Sequence, residues 1–535
     1  MHTGERRKRK GLWIPAAIPV LFAIVLLVVS PLHDTFEEWD GVVQAFAGME
    51  MVSGVGYRGW VAAHWPPLYP LLIGLGSRLV STFDAAKIIS IVAAAIAVYV
   101  VYALAVELSD TRSLGLLAQA FLVVNPRFVV SAIQAENHML ESVFLVSALT
   151  LFLKAAKSPD GKRWLAVGAA TGLASLARYT SYVLMPVFVI LPFVLLNRRR
   201  AMRAVLLIMA AFALVCLPWW YANARANGSP FANRLYITAG WGVLSDLSSY
   251  RWWWDTHTGY HSLLDVFRAN PVGYLMNVLR TLRSSGRVLL TTGGVLAPFV
   301  IPALFQTVIA LPWRQWSVLL GATALYVLGV SQALVLDEYL LGFIIVLCVL
   351  SALFVAEYLA RLASVYPLLA KARFRAVALA VLLAGGLLLT SLAVDRYVKA
   401  DDYDNGQMVD YRAITAVLKA RDPDLAHKFV MAVHPARAYY LGSGYLPAPL
   451  YYEGAVDGLV SYRGINPQVD MLTLRFPSTT SPEKARADYL IYDVGLRSHL
   501  PEFAFLFDPS SDQIPDNFKL VYQSQGAVVY EILWH

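Results

Sequence analysis

Four carboxylates lie in the segment that directly follows the first apolar stretch of the chain: Asp34, Glu37, Glu38 and Asp40. Acidic side chains at the edge of a bilayer are costly, so they are uncommon there unless they have a task. A positioned carboxylate can take the proton from a hydroxyl group that attacks a carbon centre. The pattern therefore predicts a general base, with Asp40 as the first candidate and Glu37 and Glu38 beside it. The alternative interpretation is an acidic, solvated loop without a chemical role.

A second set of candidates combines two carboxylates with an imidazole: Glu136, His138 and Glu141. These groups can position an acceptor or ligate a divalent metal, for which Asp40, Glu136 and His138 are the candidates. On a helix, His138 and Glu141 are three residues apart and share a face. Glu136 and Glu141 are five residues apart, so their side chains do not point in the same direction. The spacing matches no known metal motif. Residues at the start of a helix, where a glutamate interacts favourably with the helix dipole, explain the pattern equally well.

Arg178 is the strongest cationic candidate because it lies between two short apolar segments, in Arg178-Tyr179-Thr180. Its planar guanidinium can bind a lipid phosphate through paired hydrogen bonds. The alternative is that the long side chain only reaches towards the edge of the membrane. Arg58 and His64, in the first loop, are weaker candidates for binding the same substrate.

Other catalytic motifs are missing from the sequence. It contains no phosphate-binding loop of the G-x-x-x-x-G-K-S/T type, no H-E-x-x-H, no G-x-S-x-G and no Cys-x-x-Cys. The glycines of Gly54-Val55-Gly56 predict a turn rather than a dinucleotide site. Cys216 and Cys348 both lie inside apolar runs, which predicts small buried side chains and no disulfide.

The elements that position these residues are membrane helices. The 535 residues are 58% hydrophobic and 15% charged, whereas soluble domains are about half apolar and about a quarter charged. The net charge of +8 does not indicate nucleic-acid binding, because the basic residues form short clusters between apolar segments, as in cytoplasmic loops. These clusters are Arg6–Lys10, Lys162–Arg163, Arg198–Arg200 and Lys371–Arg375.

The first span runs from about Leu12 to Leu32 and is predicted to be a retained signal anchor, because no cleavage site follows it. The apolar stretch Pro67–Leu79 is too short to cross, since a span needs about 20 residues. If it crossed, all later basic clusters would change sides, which the positive-inside rule disfavours. This leaves about 11 spans. The others are Lys87–Val106, Ser113–Val130, Met139–Leu153, Trp164–Leu176, Tyr182–Leu196, Ala201–Tyr221, Val288–Leu311, Trp316–Ala333, Tyr339–Leu362 and Arg375–Val394.

This topology leaves two larger stretches outside the membrane. The first, at about 222–287, contains the aromatic cluster Tyr250–Asp255, which suits either an interfacial belt or a contact surface for lipid or acceptor. The second, from about Asp395 to His535, has a predicted helix at Tyr411–Arg421 and three strand-like runs, which together indicate a small α/β domain. The runs are Phe429–Val433, Tyr489–Asp493 and Ala527–Glu531.

Several of these segments resemble GT-C glycosyltransferases. Asp40–Tyr57 is similar to the start of their first extracytoplasmic loop, in which an acidic residue opens a helix that closes with Gly-x-Gly-aromatic. Trp65–Pro70 resembles their Pro-Pro-Leu-Tyr segment, and Ala135-Glu136 their acidic residue at the mouth of a later span. Gly172–Tyr179 looks like their Gly-Leu-Ala…Arg segment, and Ala487–Leu490 is similar to part of their external tail. The nearest subgroup is glycosyltransferase-39-like, with protein mannosyltransferases and the lipid A aminoarabinose transferase.

The resemblance implies a polyprenyl-phosphate-linked sugar donor, chemistry on the external face and an aspartate of the first loop as general base. The glycine spacing favours Asp40 as that aspartate. Glu37 and Glu38 match only the adjacent-acid pattern that many members of the subgroup have. The sequence also departs from the family at Asp337–Leu340, where Asp-Glu-Tyr-Leu replaces the common Arg-Tyr-Leu and removes one possible phosphate-binding arginine.

We therefore expect a polytopic α-helical membrane protein with a C-terminal extracytoplasmic α/β domain. Residues 1–394 form the transferase domain, with a catalytic first loop at 33–85 and a second external loop at 222–287, and residues 395–535 form the tail domain. The N-terminus is predicted to be cytoplasmic. The expected activity is hexosyl or pentosyl transfer to an external glycan, lipid or protein, with Asp40 as base, without a firm cofactor requirement beyond a possible divalent metal. A transporter or flippase of a lipid-linked substrate is the alternative.

Overall fold

The structure is a computed structural model. It describes residues 13–30, 39–54, 56–57, 64–158, 160–233, 235–244, 262–332, 337–400, 409, 411–434, 436–448, 452, 454–461 and 486–534. Most of these residues are helical, and a single β-sheet lies near the C-terminus. The predicted fold class, a helical membrane protein with a C-terminal α/β domain, is confirmed.

The helical part contains eighteen α-helices within the described residues. They are α1 Trp13–Val29, α2 Trp39–Ser53, α3 Leu68–Gly76, α4 Thr82–Ser109, α5 Arg112–Val123, α6 Pro126–Ile133, α7 Asn137–Lys157, α8 Gly161–Ala177, α9 Leu184–Leu195, α10 Arg198–Asn227, α11 Leu235–Leu244, α12 Leu263–Ala269, α13 Pro271–Thr291, α14 Ala297–Ala310, α15 Trp313–Val330, α16 Leu341–Val365, α17 Pro367–Ala370 and α18 Ala372–Ala400. Short 3₁₀ segments at Tyr179–Val183, Gly294–Leu296 and Asp337–Leu340 precede α9, α14 and α16.

Five of the described helices are long and apolar enough to cross a membrane, and up to seven spans result if each of two bent helix pairs counts as one. Two shorter apolar helices lie at Ile14–Val29 and Tyr179–Leu195. Nine of the predicted spans coincide with one helix each, whereas Ser113–Val130 and Val288–Leu311 run across the breaks of the two bent pairs. The total of about 11 stays a prediction. The five long helices are Thr82–Ser109, Asn137–Lys157, Arg198–Asn227, Glu338–Val365 and Ala372–Tyr397.

The first loop folds back on itself through a close contact between α2 and α3. A β-carbon on Gly48 would lie 2.3 Å from the carbonyl oxygen of Pro70, and one on Gly74 would lie 2.2 Å from that of Gly48. Only glycines allow the two backbones to approach this closely. The nine residues of α3 rise about 14 Å, less than half of the roughly 30 Å hydrocarbon core. This agrees with the prediction that Pro67–Leu79 does not cross.

Two helix breaks meet beside the site described below. The axis bends by 65° between α5 and α6, and by 103° between α13 and the helical segment Gly294–Ile309. The side chain of Asn125 joins the two breaks, because it accepts a hydrogen bond from the backbone of Phe128 (3.0 Å) and donates one to the carbonyl of Thr292 (3.1 Å). Asn125 is therefore both the N-cap of α6 and the link to the α13–α14 break.

The C-terminal domain is a five-stranded mixed sheet with helices α19 Tyr411–Arg421, α20 Ala436–Leu441, α21 Val456–Val460 and α22 Val494–His499. The strand order is β2-β1-β3-β5-β4, in which β2, β1 and β3 are parallel, and β5 pairs antiparallel with β3 and β4. The three predicted strand-like runs coincide with β1, β3 and β5. The predicted domain boundary at residue 395 lies inside α18. The strands are β1 Phe429–Ala432, β2 Gly444–Pro447, β3 Tyr489–Asp493, β4 Phe518–Gln523 and β5 Ala527–Ile532.

Candidate active site

The start of α7 is held in place from both sides. Glu136 is its N-cap residue, with an extended backbone, and its carbonyl oxygen accepts a hydrogen bond from the hydroxyl of Ser90 in α4 at 3.2 Å. The side-chain amide of Asn137 donates to the carbonyl of Ala177 at the end of α8, at 3.0 Å. These two bonds fix the position of His138, which is buried.

Arg178 follows the last residue of α8, where an extended backbone ends the helix. Its guanidinium carbon lies 3.7 Å from the centroid of the Tyr339 ring. Its Nη1 contacts both ring nitrogens of His138 and is 3.0 Å from Nε2, while Nε2 is also 3.1 Å from Oε2 of Glu136. One tautomer satisfies both neighbours, with Nε2–H donating to Glu136 and Nδ1 accepting from Arg178. Glu136, His138 and Arg178 therefore form one hydrogen-bonded chain.

Glu141 supplies the counter-charge for Arg178. Its Oε2 lies 3.9 Å from Nε of Arg178, and its side chain is only 3% exposed. Oε1 accepts hydrogen bonds from the hydroxyl groups of Thr180 (2.8 Å), Ser181 (2.7 Å) and Tyr326 (2.9 Å). Three donors and a nearby cation offset the cost of burying this carboxylate. His138 and Glu141 share one face of α7, as their spacing predicts, and both contact Arg178.

The charge of Arg178 is stable in this environment. Burial lowers the pKa of its guanidinium, but the neighbouring Tyr339 and Glu141 outweigh burial and raise the pKa above the ordinary value for arginine. The group is therefore cationic at every pH at which a protein is folded. A permanent, planar cation of this kind suits a phosphate or another anionic leaving group.

Asp40 lies near Tyr339. It is in the first turn of α2, half-buried, and close enough to Tyr339 to interact electrostatically with its hydroxyl group. Tyr339 is thus close both to a carboxylate of the first loop and to the guanidinium of Arg178. His138 also stacks on the same ring, with the two ring centroids 5.4 Å apart. The structure brings together three of the predicted residues, Asp40, His138 and Arg178, around a tyrosine.

An ion pair fixes the segment that carries Tyr339. Nη2 of Arg127, in the first turn of α6, lies 2.9 Å from Oε2 of Glu338, and both side chains are mostly buried, at 14% and 17% exposure. In the Asp-Glu-Tyr-Leu sequence, Glu338 directly precedes Tyr339 and forms an ion pair with Arg127 of another helix. Arg127 thus brings a cation from α6 to the segment that carries Tyr339.

Of the other predicted residues, one is described by the structure and the rest are not. His64 is half-buried and packs edge-on against Trp65, with ring centroids 4.4 Å apart. The hydroxyl of Tyr57 donates to the carbonyl of Trp65 at 2.9 Å, and its ring contacts that of Trp219, which anchors the loop to α10. The remaining candidates lie outside the described residues: Glu37, Glu38, Arg58 and the cluster Tyr250–Asp255.

The turn and cysteine predictions are confirmed. Gly54 and Gly56 have φ angles of +90° and +93°, which only glycine adopts readily, so they form the turn that closes the α2 segment. Cys216 and Cys348 are buried and unpaired as cysteines.

The contacts of Glu136 and His138 show whether these predicted metal ligands can bind a divalent ion. Glu136 and His138 bind each other, and the second ring nitrogen of His138 faces the cationic Arg178. In the part of the chain that the structure describes, no group of three or more His, Cys, Asp or Glu side chains is placed to hold a metal ion. Glu136 and His138 therefore do not fit a divalent ion in this arrangement.

Sequence reasoning missed the hydroxyl groups that complete the site. Thr180 and Ser181 lie two and three residues after Arg178, so their position near an expected cation was a usable signal. Tyr326 and Tyr339 lie on α15 and before α16, and nothing in their local sequence shows that they approach residues near position 140. Only the packing of the helices reveals those contacts.

Comparison with known proteins agrees with this fold. The family model described as dolichyl-phosphate-mannose-protein mannosyltransferase matches residues 64–221, which include α3 to most of α10 and the Glu136–Arg178 chain. No curated protein matches the chain by sequence.

Solved structures match over nearly the whole chain. ArnT from Cupriavidus metallidurans bound to undecaprenyl phosphate is similar at 16% identity and a TM-score of 0.58, over 96% of this chain and 97% of ArnT. The archaeal oligosaccharyltransferase AglB from Archaeoglobus fulgidus, in complex with an inhibitory peptide and a dolichol-phosphate, has 13% identity and a TM-score of 0.58, over 98% of this chain and 74% of AglB. The Archaeoglobus fulgidus oligosaccharyltransferase in complex with Zn and sulfate gives 15% identity and a TM-score of 0.58, over 96% of this chain and 73% of that one.

At sequence identities of 13–16%, the similarity to these solved structures establishes the fold of the chain. The chain is an integral membrane protein with the GT-C glycosyltransferase fold, and the resemblance to GT-C proteins that its motifs indicated is confirmed.

Proposed function

We propose that the protein is a membrane glycosyltransferase that moves a sugar from a polyprenyl-phosphate-linked donor to an acceptor outside the cytoplasm. The observation that carries the proposal is the placement of Asp40 and Arg178 around Tyr339, a general-base candidate and a permanent cation at one site. The GT-C fold supports it, since solved relatives of this fold hold undecaprenyl phosphate or dolichol-phosphate.

In the proposed reaction, Asp40 takes the proton from the acceptor hydroxyl as its oxygen attacks the anomeric carbon of the donor sugar. The new C–O bond forms while the bond between that carbon and the phosphate oxygen breaks. The polyprenyl phosphate leaves with the electron pair and its added negative charge. Direct displacement of this kind inverts the anomeric centre, and the phosphate leaves without a dedicated general acid.

Arg178 stabilises the charge that develops on the leaving phosphate. Its guanidinium is oriented before substrate arrives, by His138 on one edge, Glu141 on another and the ring of Tyr339 on its face. A preorganised donor in a site with little water stabilises charge more than the same group would in water. His64 and Arg58 are further candidates for binding the donor. Glu136 is a candidate for shaping the acceptor site through its contact with His138.

The proposed topology places the reaction outside the cytoplasm. The N-terminus is cytoplasmic, and the loops at 33–85 and 222–287 and the domain from residue 395 are extracytoplasmic. The basic clusters between the apolar helices support this orientation. The acceptor is a glycan, lipid or protein that reaches this face of the membrane.

Incubation of the purified protein with a panel of polyprenyl monophosphate sugars, hexoses and pentoses separately, tests the proposal. The expected result is release of polyprenyl phosphate that depends on an added acceptor, together with a product of inverted configuration. Movement of the lipid-linked sugar across a reconstituted membrane without such release would instead indicate a transporter. A donor whose sugar is transferred would also identify the sugar class.

A further inference from the structure

A basic amphipathic helix, α13, lies next to the helix break described above. Its N-terminal half exposes a group of apolar side chains, of which Val272 is 72% and Leu279 is 60% exposed. From its middle to its C-terminal end it carries Arg280, Arg283 and Arg287, which are all exposed. Among the described residues none of these guanidinium groups pairs with a carboxylate, so their charges are available to a ligand.

The apolar and basic groups belong to one surface. With about 100° between successive residues, Val272, Leu275, Leu279 and Arg283 fall within one narrow arc. Arg280 and Arg287 lie together on one flank of this arc. This exposed surface is apolar along its first part and basic along its second part, so acyl chains and lipid head groups can contact it next to each other.

The direction of α13 fits this placement. It bends by 103° relative to the apolar segment Gly294–Ile309. If that segment crosses the membrane, then α13 runs close to the membrane plane. Arg280, Arg283 and Arg287 then lie within about two helical turns of one another, along the part of α13 that leads to the break.

An apolar cavity opens beside the basic half of α13. It has a volume of about 240 Å³ and is enclosed by α13, α14, α15 and α16. Gly286 and Leu290 of α13 and Ile301 of α14 line it, and Leu290 and Ile301 are 36% and 51% exposed, so the cavity is accessible from the side of the bilayer. Arg283 is one helical turn before Gly286 on the same face, and Arg287 follows Gly286 directly.

We propose that α13 and this cavity form a binding site for an anionic phospholipid of the bilayer. The phosphate binds the guanidinium groups of Arg283 and Arg287, with Arg280 adding to the positive field, and one acyl chain enters the cavity past Leu290 and Ile301. Arginine suits the phosphate because its planar fork makes paired hydrogen bonds. A bilayer phospholipid fits better than the sugar donor, because the arginines face outwards and contact none of the described residues of the candidate active site.

The test is retention of lipid by the purified full-length protein. The protein is reconstituted in nanodiscs of phosphatidylglycerol and phosphatidylcholine, returned to detergent, and analysed by native mass spectrometry for bound lipid. We expect phosphatidylglycerol to be retained at least about tenfold over phosphatidylcholine. The triple variant R280Q/R283Q/R287Q should lose this preference, and R280K/R283K/R287K should keep most of it.

Two controls separate the site from the net charge and from the fold. The variant R198Q/R199Q/R200Q removes the same charge from an exposed cluster that does not line this cavity, and its retention of phosphatidylglycerol should be unchanged. Ile301→Trp changes an exposed position at the rim, so the protein should remain folded, while a photoreactive acyl chain should no longer crosslink to α14 and α16.

Three results would overturn the proposal. The first is equal retention of the two lipids by the wild type. The second is an equal loss of phosphatidylglycerol in R280Q/R283Q/R287Q and in R198Q/R199Q/R200Q. The third is displacement of phosphatidylglycerol by undecaprenyl phosphate, which would assign the site to the donor. The measurement needs no sugar transfer, so its outcome is independent of the proposed function.

Discussion

The guanidinium of Arg178 lies over the ring of Tyr339, with 3.7 Å between the guanidinium carbon and the ring centroid. This contact joins the end of α8 to the 3₁₀ segment before α16, two parts of the chain that are far apart in sequence. Because Glu338 binds Arg127 and His138 stacks on Tyr339, the ring cannot move without disturbing three other elements. Arg178 is therefore held in one orientation before any substrate binds.

Replacement of Arg178 should impair catalysis more than binding of the acceptor. We expect Arg178→Ala to lower kcat/KM for the donor by about 100-fold or more, the usual effect of removing a group that stabilises transition-state charge. Arg178→Lys should stay at least about tenfold impaired, because an ammonium group cannot make the planar contacts with His138 and Tyr339. Initial rates with varied donor measure this.

Arg163 provides the matched control for Arg178. It lies in the first turn of the same helix, α8, and its Nη1 donates to the carbonyls of Lys154 (3.1 Å) and Ser158 (3.2 Å). Arg163→Ala should keep near wild-type activity. Full activity of Arg178→Lys would show that only a positive charge is needed at position 178.

Glu141→Gln should destabilise the protein as well as slow it. The substitution keeps the shape of the side chain but leaves the buried Arg178 without its counter-charge, and loss of one partner of a buried ion pair costs about 3 kcal/mol. The thermal unfolding midpoint in detergent should fall clearly. Thr180→Val removes one of the three hydrogen-bond donors to Glu141 and should cost only about 1 kcal/mol. Equal midpoints for Glu141→Gln and the wild type would contradict this role.

Gly48→Ala should disturb the position of Asp40 through the backbone. The added methyl group would lie 2.3 Å from the carbonyl oxygen of Pro70, so α2 and α3 must move apart, at a cost of about 1–3 kcal/mol. Because Asp40 is on α2, two turns before Gly48, transfer activity should fall too. Gly321→Ala adds a methyl group in open space and should change neither property. Unchanged stability and activity of Gly48→Ala would show that this crossing does not position Asp40.

Removal of divalent metals should leave the transfer rate unchanged. His138 is already bound by Glu136 and Arg178, and the cationic guanidinium disfavours a second positive charge at the same place. Initial rates measured with and without EDTA, after exhaustive dialysis, test this. A rate that falls with EDTA and is restored by one added metal would show that ligands outside the described residues complete a metal site.

The sequence predicted those parts of the fold that depend on local patterns. The strand-like runs in the tail, the helix Tyr411–Arg421 and the turn at Gly54 and Gly56 depend on nearby residues, and all occur in the structure. The nine-residue length of α3 follows from the short apolar run that encodes it. The predicted sharing of one helix face by His138 and Glu141 also holds.

Contacts between distant segments could not be predicted. Tyr326 binds Glu141, and Tyr339 binds Arg178, only because α15 and α16 pack beside α7 and α8. The sequence presented Glu338 as a departure from the family pattern and gave no sign that Arg127 pairs with it. A single sequence carries no record of such pairs, so the charged residues could be proposed as a set but their partners could not.

Asp40 is proposed as the general base of sugar transfer, and Asp40→Asn tests this role most directly. With a donor identified from the polyprenyl monophosphate panel, we expect this variant to bind donor and unfold at the wild-type temperature but to lose at least about 100-fold in the transfer rate. Glu50→Gln, on the same helix α2, should keep the wild-type rate. Full transfer activity of Asp40→Asn would contradict the claim, and a loss confined to Glu37→Gln or Glu38→Gln would move the role of base to that residue.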